Sequence, residues 1–141
     1  MTKPSFVGFQ EKVLIPEGFE LLEIKERIES TLGRDELFTY LAMPEKLSQW
    51  FYTFTSVDLR PGGKVNFLGD DGANLQAVCT SVVFEKEISY ITEVFGNLTV
   101  KVSKSGKLNA IDINFKILTD QHEAKRTRIS ESIEKLKALV S

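Results

Sequence analysis

Trp50-Phe51-Tyr52-Thr53-Phe54-Thr55-Ser56-Val57-Asp58-Leu59-Arg60-Pro61-Gly62-Gly63-Lys64-Val65-Asn66-Phe67 joins the end of a helix to a strand, a tight turn and a second strand. Four aromatic residues fall in its first five positions, the only tryptophan among them. Its centre is a turn with a mechanism. Pro61 fixes φ at the first central position and Gly62 accepts a positive φ at the second, so Arg60 to Gly63 is expected to form a type II turn.

Upstream, Leu47, Trp50 and Phe51 recur at spacings of three and four, the apolar face of a short helix that Pro44 starts. Leu37, Phe38 and Leu41 mark another helix over residues 34–42. Residues 19–30 alternate, with Leu22, Ile24 and Ile28 on one face, which predicts a half-buried antiparallel strand. A helix competes there, because the same residues are good helix formers. Residues 1–18 carry two short apolar clusters punctuated by proline and glycine. They are expected to form an arm ahead of one domain at 19–141, packed on it or partly disordered, or else added as an edge strand or dimer arm.

Downstream, every signal is strand or turn until the last segment. Gly69-Asp70-Asp71-Gly72 is a hairpin loop. Leu75–Phe84 and Ile88–Phe95 are expected strands, and Gly96-Asn97 is expected to be a two-residue hairpin turn. Leu98, Val100 and Val102 alternate with polar residues, as do Ile111, Ile113, Phe115 and Ile117. Asp120 is expected to cap a final helix, with Glu123 completing a capping box. Ile129, Ile133, Leu136 and Val140 give that helix one apolar stripe, and its ~30 Å length would cross the face of a sheet. The order predicts an α+β fold: an antiparallel sheet of six to seven strands curved around a long C-terminal helix, with two short helices after the first strand.

The 141 residues are 42% hydrophobic and include ten phenylalanines, which suits a packed core or an apolar cavity. A net charge of −2 without a basic tract argues against nucleic acid. One cysteine excludes an internal disulfide, and one histidine far from it leaves a zinc site without ligands. No apolar run approaches the ~20 residues of a membrane span, and the N-terminus lacks a signal-peptide core, so the cytoplasm is the expected location.

Pro44-Glu45-Lys46-Leu47-Ser48-Gln49-Trp50-Phe51 followed by Asp58-Leu59-Arg60-Pro61-Gly62-Gly63-Lys64-Val65-Asn66-Phe67 resembles the START-like helix-grip superfamily. The nearer branch is similar to the C-terminal domain of the activator of the heat-shock-protein-90 ATPase. Ala77–Phe84 and Ile88–Thr92 continue the likeness, which covers roughly residues 22–139. The Gly-Trp pair that many members carry near the last helix is absent. The resemblance implies a cavity between sheet and C-terminal helix, usually apolar, and no fixed catalytic set, because members include lipid and polyketide binders, cyclases and co-chaperone domains. A stress-response role follows only from that branch.

The first expectation for function is therefore a non-enzymatic binder of a small apolar or amphipathic molecule. Its cavity would be lined by Trp50, Phe54, Phe67, Tyr90, Phe115, Ile133 and Leu136. The alternatives are a chaperone-associated interaction domain, or a cyclase- or hydrolase-type enzyme. Glu26 is the weak catalytic candidate, because strand parity aims its carboxylate the same way as Leu22, Ile24 and Ile28. It would act with Tyr90 facing it, or instead reach water or Arg60. No cofactor or metal is expected, and the state is monomer or homodimer. Gly62-Gly63-Lys64 lacks the upstream glycine and following Ser/Thr of a phosphate loop. Cys79 is expected to be a small buried hydrophobe, His122 to be solvated, and the charges from Lys125 to Lys137 to form the solvated face of the last helix.

Overall fold

The computed structural model describes residues 15–141; the first fourteen residues, and with them most of the expected arm, lie outside it. The chain runs β1 (Glu20–Ser30), α1 (Arg34–Ala42), α2 (Pro44–Leu47), β2 (Thr53–Val57), β3 (Gly63–Leu68), β4 (Asn74–Val83), β5 (Glu87–Thr92), β6 (Gly96–Ser105), β7 (Leu108–Thr119) and α3 (His122–Val140). The seven strands form one antiparallel sheet in the order β1-β7-β6-β5-β4-β3-β2. It is a meander in which only β1 is placed out of sequence order, beside the last strand. The predicted α+β helix-grip architecture is what forms.

The turn after β2 has the expected geometry. Gly62 adopts φ +84 and the Gly63 amide donates to the Arg60 carbonyl at 2.7 Å. A side chain on Gly63 would lie 2.1 Å from the Asp58 carbonyl oxygen, so the second glycine is needed for close packing. Phe54 and Phe67 face each other directly across β2 and β3, both buried, with ring centroids 5.4 Å apart.

Four expectations need correction. β5 ends at Thr92, and the hairpin turn is Glu93-Val94-Phe95; Gly96 pairs with Thr92 as the first residue of β6. Its φ of +74 is a left-handed conformation that glycine adopts without steric cost. The second short helix closes at Leu47, and Trp50 and Phe51 pack from the turn after it. Asp120 caps nothing: the N-cap is Gln121 without a side-chain bond, while Thr119 Oγ1 accepts from the Gln121 amide. Finally, the charges of α3 are not all solvated. Lys125 donates to the Val94 carbonyl, and Arg128 is built into the body of the domain.

α3 lays Ile129, Ile133, Leu136 and Val140 on the inner face of the sheet, with Ser132 buried among them. It is tied to the edge strand near both ends. His122 Nε2 lies 3.2 Å from the Glu20 carbonyl, and the Ser30 hydroxyl donates to the Val140 carbonyl.

Candidate functional site

Trp50, Phe54, Phe67, Tyr90, Phe115, Ile133 and Leu136 converge between the sheet and the helices, all buried within one hydrophobic cluster. At their centre is a side chain missing from that set. The Phe51 ring lies 5.0 Å from Trp50, 4.8 Å from Tyr52, 4.9 Å from Phe95 and 5.7 Å from Phe115. These are contact separations for aromatic pairs, so the rings fill the space they enclose. Phe51 already belonged to the apolar face recognised around Trp50. Phe95 carried no signal, because it sits in a turn where strand parity has no meaning.

The polar tips of this interior are engaged. The last carbonyls of a helix have no intrahelical partner. In α1 two of them are met by side chains: Trp50 Nε1 donates to the Tyr40 carbonyl at 2.8 Å, and the Tyr90 hydroxyl to the Leu41 carbonyl at 2.6 Å. Burial holds the Tyr90 phenol far above its ordinary value, so it stays protonated. Cys79 is fully buried, its thiol pushed up by burial and set against the Ser81 carbonyl.

Glu26 does not join them. It lies on the open edge strand between the two ties that fasten α3 to β1, and it is exposed. Tyr90 stands on β5, three strand spacings or ~14 Å away across the sheet. Arg60 is not its partner either, because the guanidinium pairs with Asp58 at 2.8 Å. That contact holds the Asp58 carboxyl below its usual range. The expectation of a carboxylate aimed into an apolar interior is therefore overturned by the edge position of its strand.

Arg128 organises the opposite rim. It is paired with Asp70 at 2.7 Å, donates to the Phe51 carbonyl at 3.0 Å and lies 4.1 Å from the Tyr52 ring centroid. The Arg128 hydrogen bonds hold the Asp70 carboxyl below its ordinary value. Burial pushes the Tyr52 phenol up, with Arg128 opposing the shift.

Open space lies on the outer face of the sheet. A groove of about 590 Å³ crosses β1, β7 and β6. Three register rows of side chains line it: Arg27-Asp112-Lys101, Lys25-Asn114-Thr99, and Lys116 beside Asn97. Arg27 and Asp112 neutralise each other at 2.6 Å, while Lys101 and Lys116 are exposed and in no ion pair among the described residues. Asn114 Oδ1 is buried without a hydrogen-bond donor among the described residues. No group of three or more metal-ligating side chains occurs among the described residues, and none of their helices is long and apolar enough to cross a membrane.

Residues 32–141 match the family described as Activator of Hsp90 ATPase homolog 1-like protein. Among curated proteins, none matches the sequence. Solved structures do. The Aha1 dimer from Colwellia psychrerythraea is similar with a TM-score of 0.66 at 12% identity, over 84% of this chain and 96% of that one. A protein of unknown function from Staphylococcus aureus gives 0.69 at 13% identity, over 86% and 94%. A protein from Nitrosomonas europaea gives 0.64 at 17% identity, over 89% and 96%. At these identities the likeness is one of fold.

Proposed function

This chain belongs to the Activator of Hsp90 ATPase homolog 1-like family, and from that premise we propose that it is a non-enzymatic interaction domain that docks a chaperone ATPase of the heat-shock-protein-90 kind on the outer face of its sheet. The observation that carries this reading is the state of the interior. Phe51 and its neighbours occupy the space between sheet and α3, and the Trp50 and Tyr90 tips are committed to α1 carbonyls. A ligand pocket needs open volume and convergent polar groups. The outer groove has both, with exposed lysines suited to an acidic surface.

A small apolar molecule between sheet and α3 is the second reading. The convergence of Trp50, Phe54, Phe67, Tyr90, Phe115, Ile133 and Leu136 on one region favours it. Binding there requires the Phe51 and Phe95 rings to move aside.

The test pairs two measurements. Native mass spectrometry of gently purified protein looks for a co-purifying small molecule. Titration calorimetry and an ATPase assay look for binding to a chaperone of that class. The docking reading expects no bound molecule, binding that weakens with salt, and loss of binding in Lys101→Glu/Lys116→Glu. A stoichiometric apolar adduct with no chaperone binding would replace it with the second reading.

A further inference from the structure

The sheet has two edge strands, β1 and β2, and they are built differently. β2 is five residues long, and its register with β3 slips between Phe54 and Ser56, where the Thr55 hydroxyl donates to the Asn66 carbonyl. A short, bulged edge is a poor template for another strand. β1 is eleven residues long and keeps an unbroken register with β7. Among the described residues no strand pairs with its other side. α3 is hydrogen-bonded to it at the two ends, Glu20 and Ser30, and the stretch between presents a row of unpaired backbone groups. A long, regular edge of this kind is a template for a second chain unless something blocks it.

One residue in its middle breaks the pattern. Leu22, Ile24, Glu26 and Ile28 share the inner face by parity. Leu22 and Ile28 are buried and Ile24 is half-buried, while Glu26 is exposed beside the buried Ile113 of β7. Its neighbours in sequence give it no counter-ion, since Lys25 pairs with Glu23 and Arg27 with Asp112.

We propose that Glu26 keeps β1 from pairing edge to edge with a second copy of this chain. The rest of the strand is self-complementary. Two antiparallel copies aligned on Lys25 would set Leu22 against Ile28 and Glu23 against Arg27, each twice. Arg27 already holds Asp112 at 2.6 Å, so a row of carboxylate, guanidinium and carboxylate would cross the joint on the outer face. The like-charge contact of Lys25 with Lys25 would lie on that solvated face too. The inner face carries the fault. There the same alignment sets Glu26 against Ile24, twice, and takes both carboxylates out of water without a cation. Neighbouring alignments do not relieve it. Aligned on Ile24, Glu26 meets Leu22; aligned on Glu26, it meets itself while Lys25 meets Arg27. An inward-pointing charge is one of the devices by which edge strands are kept unpaired. Lys101 and Lys116 lie on β6 and β7, so the edge is blocked in this way with or without a chaperone on the outer groove.

The test uses the full chain and two readouts, molar mass by light scattering and hydrogen exchange of the β1 amides. The native protein and Glu26→Lys, which keeps a charge at the position, should have the same mass and exchanging amides along the outer side of β1. Glu26→Val should double that mass at concentrations where the native protein does not, with protection of the β1 amides and not of β2. Glu26→Thr, neutral and strand-forming, should associate more weakly, and it carries the test if the valine variant precipitates. Valine and threonine variants that keep the native mass at millimolar concentration would overturn the proposal. So would protection of the outer β1 amides in the native protein, because the edge would then be paired with Glu26 in place.

Discussion

Arg128 and Asp70 are 58 residues apart in sequence and 2.7 Å apart in the fold. The pair ties the β3–β4 loop to the middle of α3, and the same guanidinium reaches the Phe51 carbonyl and the Tyr52 ring. Arg128 also donates to the Ser132 hydroxyl, so it serves four partners and Asp70 one. Removing the arginine should cost more than removing the acid.

Asp70→Asn should cost about 0.2–1 kcal/mol, the range of an exposed ion pair. Arg128→Ala should cost roughly 1–3 kcal/mol, because it also releases the Phe51 carbonyl and the ring contact. The pH dependence has a definite sign. Asp70, held by the Arg128 hydrogen bonds, titrates below its ordinary value of 3.8 in the folded state. The pair's contribution is therefore present above about that value and lost as pH falls through the lower folded value. Urea denaturation from pH 7 to pH 2 should show the gap between native protein and Arg128→Ala narrowing on the acid side. A gap independent of pH would remove the ion pair from the account and leave packing alone.

Two glycines with positive φ should respond differently to alanine. Gly62 has φ +84 with no neighbour within 4 Å of an added Cβ, so Gly62→Ala should cost only the left-handed backbone penalty of ~1–2 kcal/mol. At Gly96 the added carbon would lie 2.2 Å from the Lys116 carbonyl oxygen, on top of φ +74. Gly96→Ala must move strand backbone and should destabilise by clearly more than Gly62→Ala. Equal melting-temperature losses for the two would mean that the β6–β7 ladder yields at no cost.

Most of the fold was legible because its strands alternate. In β6, and from Ile111 to Ile117 in β7, the apolar residues fall on every second position and are the ones buried, and the Arg60–Gly63 turn follows from proline and glycine chemistry. The illegible parts are those where periodicity stops. Phe95 sits in a turn, and Arg128 looked like one more charge on an amphipathic helix. Only the loop carrying Asp70 gives that arginine a partner, and no local pattern predicts a contact across 58 residues. The aromatic convergence was readable from composition and parity. Whether the rings leave space was not, because that depends on Phe51 and Phe95 in three dimensions.

Glu26 provides a test of the edge-strand correction. Parity alone places it with Leu22 and Ile28, yet it is exposed while they are buried. An exposed surface substitution away from special features changes stability by less than about 0.5 kcal/mol. Glu26→Gln at pH 7 should therefore be neutral in chemical denaturation. A clear stabilisation would mean that the carboxylate is buried and strained in solution, and would return it to the candidate acids.

Tyr90 and Trp50 close the C-terminal end of α1 by capping adjacent carbonyls, Leu41 and Tyr40. Tyr90→Phe keeps the ring and leaves the Leu41 carbonyl buried without its donor, a loss of ~1–3 kcal/mol. Trp50→Phe should lose at least as much, since it deletes the Nε1 donor and part of the ring packing. Combining the two should be less than additive if both act by holding the same helix end. The tyrosine adds an alkaline signature. Its folded value is raised above 10.0 by burial, so its contribution is fully present below about pH 10 and is lost as pH climbs beyond the unfolded value. Above that point the stability of the native protein should fall by up to ~1.4 kcal/mol per pH unit more than that of Tyr90→Phe. Parallel alkaline profiles for the two proteins would show that the hydroxyl is wet, and the cap on Leu41 would be lost with it.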